Sequence, residues 1–416
     1  MQLNSLRVLV GGVFLSSSNI FAQSTSTLST QNISGRVNTI TTAVPFLMIG
    51  PDAKQGAMGE VGAATQADAT SIHWNVGKLA FAEKKGGASI SITPWLKQLV
   101  PDIYLYYISG FTKISKTQAI GGSLRYFSLG NITFTDIVGN TTGQFRPNEF
   151  ALDLAYSQKL SETFSAGFAA RYVRSNLTGN YTLSNGQPSK PGTSVAVDLG
   201  FYYKSKKIEV GGKKANATGG LVFSNLGSKV SYSTQKDFIP MNLRLGGGLN
   251  FLLDEFNSFG IYADANKLLV PTPPIYLKTA GGSDSVSNST GEKIIVAGKD
   301  NRNVGIAAGM VQSFGDAPGG ASEEFKEINY SVGMEYWYGS PKVFAVRAGY
   351  FNESKTKGNR KFFTAGIGVR YSKFGLDMSY LIPVTQRNPL QNTLRFTLSF
   401  DFGDEGAKPV NPNTTE

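Results

Sequence analysis

The residues that could perform acid–base or metal chemistry are few in this sequence of 416 residues. It contains one histidine, His73, and no cysteine. A Ser-His-Asp triad would therefore have to use His73, and a zinc site built from histidine and cysteine cannot form. Because Trp74 follows His73 directly, we expect a structural role for this histidine rather than a catalytic one. The sequence thus predicts neither an enzyme nor a cofactor.

Charged residues form a second candidate set, because they occupy the polar positions of segments that are apolar at every second residue. Arginine and carboxylate are nearly balanced, and each buried charge needs a partner. We therefore predict that they pair inside a barrel lumen and stiffen it, with a channel selectivity lining as the alternative. The predicted set is Arg125, Asp153, Arg171, Asp198, Arg244, Asp264, Glu335, Arg347, Arg370, Asp377 and Arg395.

The segments that carry these charges have the two-residue period of a β-strand with one apolar and one polar face. In Leu394 to Phe402 every even position is apolar and every odd position is polar. A tilted strand of about nine to eleven residues crosses a bilayer. The pattern recurs near residues 87–93, 103–113, 118–130, 148–159, 163–176, 192–204, 216–226, 241–252, 258–267, 326–338, 342–351, 361–371, 374–384 and 392–402.

These segments predict an all-β fold, a 14-stranded antiparallel transmembrane β-barrel of a Gram-negative outer membrane. An even strand number leaves both chain ends on the same side. Residues 304–314 would add a fifteenth strand, but their apolar residues recur at three and four positions, which is helical spacing. We therefore predict a long, helix-containing external loop over residues 268–325.

The remaining chain is predicted to precede or follow the barrel. Arg7 and the apolar stretch from Val8 to Leu15 read as a secretory signal, with Ala22 at the cleavage position. The residues after it are rich in Ser, Thr and Asn, which is typical of a flexible segment. The predicted boundaries are signal peptide 1–22, flexible segment 23–43, hatch or plug 44–86, barrel 87–402 and periplasmic tail 403–416.

Three glycines, Gly56, Gly59 and Gly62, recur at three-residue intervals within the predicted plug. Glycine-rich loops can cradle phosphate, but no strand precedes these glycines in a nucleotide-binding context. A compact domain packed into the barrel mouth is therefore the preferred interpretation.

The formal net charge of +11 lies largely in predicted turns, which include Lys84, Lys85, Lys206 and Lys207. A basic surface attracts nucleic acid in principle, but no recognition module accompanies it, so no nucleic-acid partner is predicted. Membrane lipid and lipopolysaccharide phosphate are the expected partners, with solvated turns as the alternative.

Two motifs in this sequence carry a family resemblance. The first comprises Gly56, Gly59, Asp68, His73, Trp74 and Asn75, and the second, in residues 312–320, contains Phe314, Asp316 and Pro318. The first motif resembles the N-terminal hatch of the FadL-type transporters of hydrophobic compounds. Together with residues 45–53 and 335–338, the second motif is similar to the PorV family of type IX secretion system barrels.

The resemblance implies a function in protein secretion. PorV-like proteins bind the C-terminal signal domains of cargo proteins at the SprA-type translocon barrel and cover its lateral opening. They then carry cargo to the surface attachment complex with its PorU-type sortase. FadL hatches usually carry Asn-Pro-Ala where this chain has Asn75-Val76-Gly77, which disfavours a gated ligand route. A FadL-like channel for hydrophobic small molecules and a purely structural cap remain the alternatives.

Overall fold

The computed structural model describes residues 37–97, 100–135, 138–177, 179, 189–232, 236–278, 284–287, 291–301, 303–384 and 390–404. The predicted signal peptide, most of the predicted flexible segment and most of the predicted tail lie outside the described residues. Within the described part, strands dominate, and short helices occur in the N-terminal segment and in one long loop.

Fourteen long strands are formed within the described residues, in the segments that the two-residue period predicts. Their ends agree with the prediction to within about three residues. They are β1 Lys84–Pro94, β2 Ile103–Lys113, β3 Gln118–Leu129, β4 Asn148–Lys159, β5 Phe164–Asn176, β6 Gly192–Lys204, β7 Lys213–Gly227, β8 Asn242–Leu252, β9 Asn257–Leu268, β10 Ile328–Tyr338, β11 Phe344–Asn352, β12 Lys361–Tyr371, β13 Phe374–Pro383 and β14 Leu394–Asp404.

The strands form one closed antiparallel barrel. Each strand pairs with the next along the chain, and β14 pairs with β1, where Ser91 lies opposite Thr397. Closure leaves none of these fourteen strands with an unpaired edge, which is the condition for a sheet to span lipid. The predicted 14-stranded antiparallel transmembrane barrel is therefore confirmed.

Burial along the strands is the reverse of that in a water-soluble sheet. In β1 the side chains of Ser89, Ser91 and Thr93 are buried, whereas Ile90 and Ile92 are 50% and 41% exposed. The same reversal recurs in β4, β6, β10 and β13. An apolar outer face and a polar inner face suit a wall between lipid and a polar lumen. Among the described helices, none is both long and apolar enough to cross a membrane.

The connection between β9 and β10 is the long loop that the sequence predicts. It contains helix α3, Ile306–Gln312, which confirms that residues 304–314 do not form a fifteenth strand. A second helix, α4, covers Ala321–Lys326, and a small hairpin pairs Ile275–Tyr276 with Ile295–Ala297. Further short strands outside the barrel ring are Ile132–Thr135, Thr141–Phe145, Ile208–Val210, Val230–Ser231 and Lys236–Asp237.

The chain ahead of β1 runs through the interior of the barrel. It contains helices α1, Ala53–Gly56, and α2, Ser71–Trp74, and 3₁₀ turns over Pro45–Met48 and Val76–Phe81. Helix α1 packs against β12, β13 and β14, whereas the Val76–Phe81 turn packs against β4, β5 and β6. These strands lie on opposite sides of the ring, so the segment fills the space between them. We call residues 43–82 the inner segment.

Candidate functional site

The predicted hatch motif lies within the inner segment, and its glycines make the closest approaches to neighbouring groups. A Cβ at Gly56 would overlap the guanidinium of Arg395, and one at Gly62 would overlap the indole ring of Trp74. Gly59 has φ of +67° and would place a Cβ 2.6 Å from the carbonyl oxygen of Tyr350. Its backbone N–H donates to Thr364 Oγ1 over 2.8 Å. The three-residue spacing therefore allows close packing, because side chains would not fit there.

Asp52 and Trp74 join the first half of the inner segment to the second. Trp74 Nε1 donates to Asp52 Oδ1 over 2.6 Å, and the other carboxylate oxygen of Asp52 caps helix α1 at Gln55 N over 2.9 Å. An N-cap of this kind satisfies a helix donor that would otherwise be buried without a partner. The Trp74 indole is almost completely buried, so its hydrogen bond to Asp52 links the two halves of the inner segment from within.

Asp68 and Asn75, also members of the predicted motif, organise the backbone around helix α2. Asp68 Oδ1 accepts from Thr70 N over 3.0 Å, and Asp68 Oδ2 pairs with Lys54 over 2.8 Å. The amide of Asn75 donates to Ala63 O over 2.8 Å and to the barrel carbonyl of Phe201 over 3.0 Å. These side chains hold backbone in place, and they satisfy groups that burial would otherwise leave unpaired.

His73 contacts Arg125 of the wall and Trp74 of the inner segment. Arg125 Nη2 lies 2.6 Å from His73 Nδ1, and a guanidinium can only donate, so Nδ1 accepts. The neutral ring packs edge-on to Trp74, with 4.7 Å between ring centroids. The acceptor nitrogen of the ring is thus already occupied by Arg125, and the structural role of His73 stays a prediction.

Three members of the predicted lumen charge set form a cluster on β4, β5 and β6. Arg171 pairs with Asp153, directly opposite it on β4, over 2.6 Å and with Asp198 on β6 over 2.9 Å. Asn225 accepts a hydrogen bond from Arg171 and donates its backbone N–H to Asp198 over 2.7 Å. A β-bulge in β7 brings Asn225 into this position, with φ of +58°.

A second charge cluster spans β10 to β13. Arg347 pairs with Glu335, opposite it in the register, over 2.6 Å and with Asp377 over 2.7 Å. Arg370 pairs with the other oxygen of Asp377, also over 2.7 Å. In both clusters two carboxylates flank a fully buried arginine, so neighbouring strands are cross-linked by charge-assisted hydrogen bonds.

The remaining predicted lumen charges contact the inner segment instead of one another. Arg125 donates to Leu47 O over 2.8 Å, and Arg395 pairs with Glu60 over 2.6 Å. Asp264 accepts from the backbone of Gly62 over 2.7 Å. Arg244 stacks on Trp74, its Cζ 4.7 Å from the ring centroid. The charge set therefore separates into wall-to-wall clusters and contacts between wall and inner segment, a division that the sequence did not indicate.

The candidate partner-binding loop places its three predicted residues in different settings. Phe314 is 57% exposed, Asp316 is buried, and Pro318 is half-buried. Asp316 Oδ2 accepts from Thr272 N over 3.0 Å and so fixes the start of the loop. Val311 and Phe325, which the sequence analysis did not single out, are 76% and 69% exposed. The residues next to Phe325 in helix α4 are polar, and this pattern could have predicted from the sequence that Phe325 is exposed.

The base of this loop is tied down by buried ion pairs. Glu327 pairs with Lys267 on β9 over 2.6 Å and with Lys357 in the β11–β12 loop over 2.8 Å. Glu324 accepts from the backbone N–H groups of Asp316 and Ala317, over 2.7 and 2.8 Å. These ion pairs and hydrogen bonds therefore fix the position of the loop that carries the exposed apolar residues.

Comparison with known proteins gives a family match. The family described as "Type IX secretion system protein PorV" matches residues 31–275, more than half of the chain. No curated protein matches the sequence.

Solved structures show a distant likeness. The toluene transporter TbuX of Ralstonia pickettii has 10% identity and a TM-score of 0.44, over 85% of this chain and 98% of its own. The toluene transporter TodX of Pseudomonas putida has 10% identity and a TM-score of 0.45, over 88% and 98%. A FadL homologue of Pseudomonas aeruginosa has 10% identity and a TM-score of 0.44, over 88% and 99%. The family match decides the assignment: this chain belongs to the PorV family of type IX secretion system proteins.

Proposed function

We propose that this protein is an outer-membrane component of the type IX secretion system that binds cargo proteins by their C-terminal signal domains. In this proposal it receives cargo at an SprA-type translocon barrel, covers the lateral opening of that barrel, and delivers cargo to a PorU-type attachment complex at the cell surface. Family membership supports the secretion system as its setting. The cargo-binding step rests on one feature of the long loop.

That feature is the exposed apolar surface of Val311, Phe314 and Phe325, which we call the loop patch. Phe314 and Phe325 line a groove of about 390 Å³, together with apolar side chains that include Ala321 and Ile328. Exposed aromatic residues beside a pocket are typical anchors of protein interfaces. The ion pairs of Glu327 hold the base, so that binding orders little additional chain.

The hatch motif supports secretion rather than small-molecule passage. Asp52, Trp74 and Asn75 tie the inner segment to itself, while Arg395, Thr364 and Asp264 tie it to three parts of the wall. A plug that opens for each passing ligand would have to break these buried contacts. We propose that the inner segment, as a hatch, stays closed while the loops act.

The test replaces Phe314 and Phe325 with serine in a bacterium that depends on type IX secretion. We expect cargo that co-purifies with the barrel to fall about tenfold or more, because two apolar anchors are lost. The matched control is Val138→Ser, which removes an exposed apolar side chain from a different external loop. Heat-modifiable migration on gels shows whether each barrel is folded.

The outcomes separate the alternatives. Unchanged cargo binding and surface display in the folded double variant would overturn the proposed role of the loop patch. If the variant secretes normally but loses uptake of a fatty acid or an arene, the FadL-like channel is the better description. If translocon association persists and wild-type protein captures no cargo without the translocon, the protein is a structural cap.

A further inference from the structure

A cavity inside the barrel carries a feature that secretion does not explain. It lies between the inner segment and the wall strands β5 to β11, with a volume of about 70 Å³. One water molecule needs roughly 10–15 Å³ of such space, so the cavity holds several waters or one small ion. Its lining includes His73 and Trp74 from the inner segment and Arg244 and Asn266 from the wall.

Two nitrogen atoms on this lining are buried and have no hydrogen-bond partner among the described residues: Nε2 of His73 and Nη1 of Arg244. Because His73 Nδ1 accepts from Arg125, the neutral ring carries its proton on Nε2. Both atoms are therefore donors. Buried donors without an acceptor cost about 1–3 kcal/mol each, so an acceptor in the cavity would be stabilised.

Arg244 is the one cation on this lining without a contact ion pair among the described residues, and the carboxylates of Asp264, Glu60 and Asp198 attract it from a greater distance. The carboxylate of Asp198 pairs with Arg171, and that of Glu60 pairs with Arg395. Within the described residues, Arg244 makes no ion pair: its Nε donates to Asn266 over 2.6 Å, and its guanidinium stacks on Trp74. A buried guanidinium that has no contact ion pair and keeps an unpartnered N–H can form a charge-assisted hydrogen bond to an anion.

We propose that this cavity binds one small monovalent anion, a halide or a short carboxylate, held by the N–H groups of His73 Nε2 and Arg244 Nη1. The bound anion pairs directly with Arg244 and links the inner segment to β8. Asn329 Oδ1, an unpartnered acceptor on the same lining, would accept from water that hydrates the anion. The inference goes beyond the proposed secretion function and does not depend on it.

The test uses Trp74 as the reporter, because the stacked Arg244 brings the anion close to the indole ring. The full-length protein in detergent carries Trp95→Phe and Trp337→Phe, which leaves Trp74 as its one tryptophan. Sodium iodide, a heavy-atom quencher, is titrated against sodium gluconate at constant ionic strength. We expect saturable quenching that chloride and acetate each reverse by competition, and the more effective competitor identifies the preferred anion.

The Arg244→Gln variant keeps a similar length but loses the charge, and we expect iodide binding to weaken about tenfold or more. Arg370→Gln is the matched control, because it removes a lumen guanidinium that does not line this cavity. If Arg244→Gln fails to fold, anomalous diffraction from iodide-soaked crystals of the unsubstituted protein provides the second measurement. Quenching that rises linearly and equally in all folded variants, or an anomalous map without a peak beside Arg244, would refute the proposal.

Discussion

At the scale of single residues, the packing of the inner segment requires glycine at some positions as much as it requires particular side chains at others. Gly56, Gly59 and Gly62 each let a neighbouring group approach where a methyl group would collide. Trp74 depends on this arrangement most, because its ring lies against Gly62 while its Nε1 is held by Asp52. The motif therefore acts through packing, and its loss should appear first as reduced stability.

Substituting Gly62 with alanine tests this packing role. The new Cβ would overlap the Trp74 ring, and the bond from Trp74 to Asp52 prevents the ring from moving away freely. We expect a loss on the order of 2 kcal/mol and a red-shifted tryptophan emission. Thermal unfolding in detergent, followed by gel migration, measures the change. Gly247→Ala is the control, because the nearest atom to its Cβ lies 3.9 Å away, and equal destabilisation of both variants would contradict the prediction.

At the scale of elements, the long loop between β9 and β10 combines an exposed apolar patch with a charged and buried base. Asp316 is part of that base, and burial first, then the nearby carboxylates of Glu324 and Glu327, raise its pKa to about 6. Burial acts to raise the pKa of Glu327, but hydrogen bonds from Lys267, Lys357 and Thr272 together outweigh it and lower that pKa. The two carboxyl groups therefore respond to pH in opposite directions.

This opposition predicts a loop that is most stable near pH 4 and loses stability as the pH rises toward neutral. Because the pKa of Asp316 is raised on folding, its contribution is complete below about pH 4 and is lost as pH rises through about 6. Glu327, with its lowered pKa, contributes above its unfolded pKa and loses that contribution as pH falls further. Hydrogen exchange of residues 306–327, corrected for intrinsic rates, should show more protection at pH 5 than at pH 7.5, by on the order of 1 kcal/mol.

Asp316→Asn provides the matched variant for this measurement. The amide oxygen can still accept from Thr272 N, but the side chain no longer titrates. We expect protection in the variant to be nearly flat between pH 5 and 7.5. A slope equal to that of the unsubstituted protein would assign the pH response to other groups.

At the scale of the whole molecule, the chain from Asn38 through the inner segment to Lys84 runs from one end of the barrel to the other. Asn38 N donates to Thr356 O in the β11–β12 loop over 2.9 Å, and Ala43 N donates to Phe238 O in the β7–β8 loop over 2.8 Å. The segment then passes between the walls and enters β1 at Lys84, at the end of the barrel with the short turns. Since long loops face outward in barrels of this class, we predict that Val37 and Asn38 lie at the cell-surface end of the barrel.

An epitope tag inserted between Val37 and Asn38 tests this path. Val37 is 69% exposed, so the tag should be accommodated and should bind antibody on intact cells. The control tag lies between Gly211 and Gly212, in the turn between β6 and β7 at the opposite end, and should be detected only after permeabilisation. Detection of both tags only after permeabilisation would refute the proposed path.

The sequence alone determined the strand number, the lumen-facing positions and helix α3, because each follows from the spacing of apolar residues over a short stretch of chain. Ile90 and Ile92 face outward and Ser91 inward simply because successive side chains alternate along a strand. The division into hatch, barrel and tail, the role of the hatch motif and the partners at the loop stay predictions.

Only the tertiary structure decided which charges pair and which contact the inner segment. Arg171 meets Asp153 because of the β4–β5 register, and Arg125 meets His73 because the inner segment lies where it does. Such contacts join residues far apart in sequence, and their partners follow from strand stagger and closure, which no local pattern encodes.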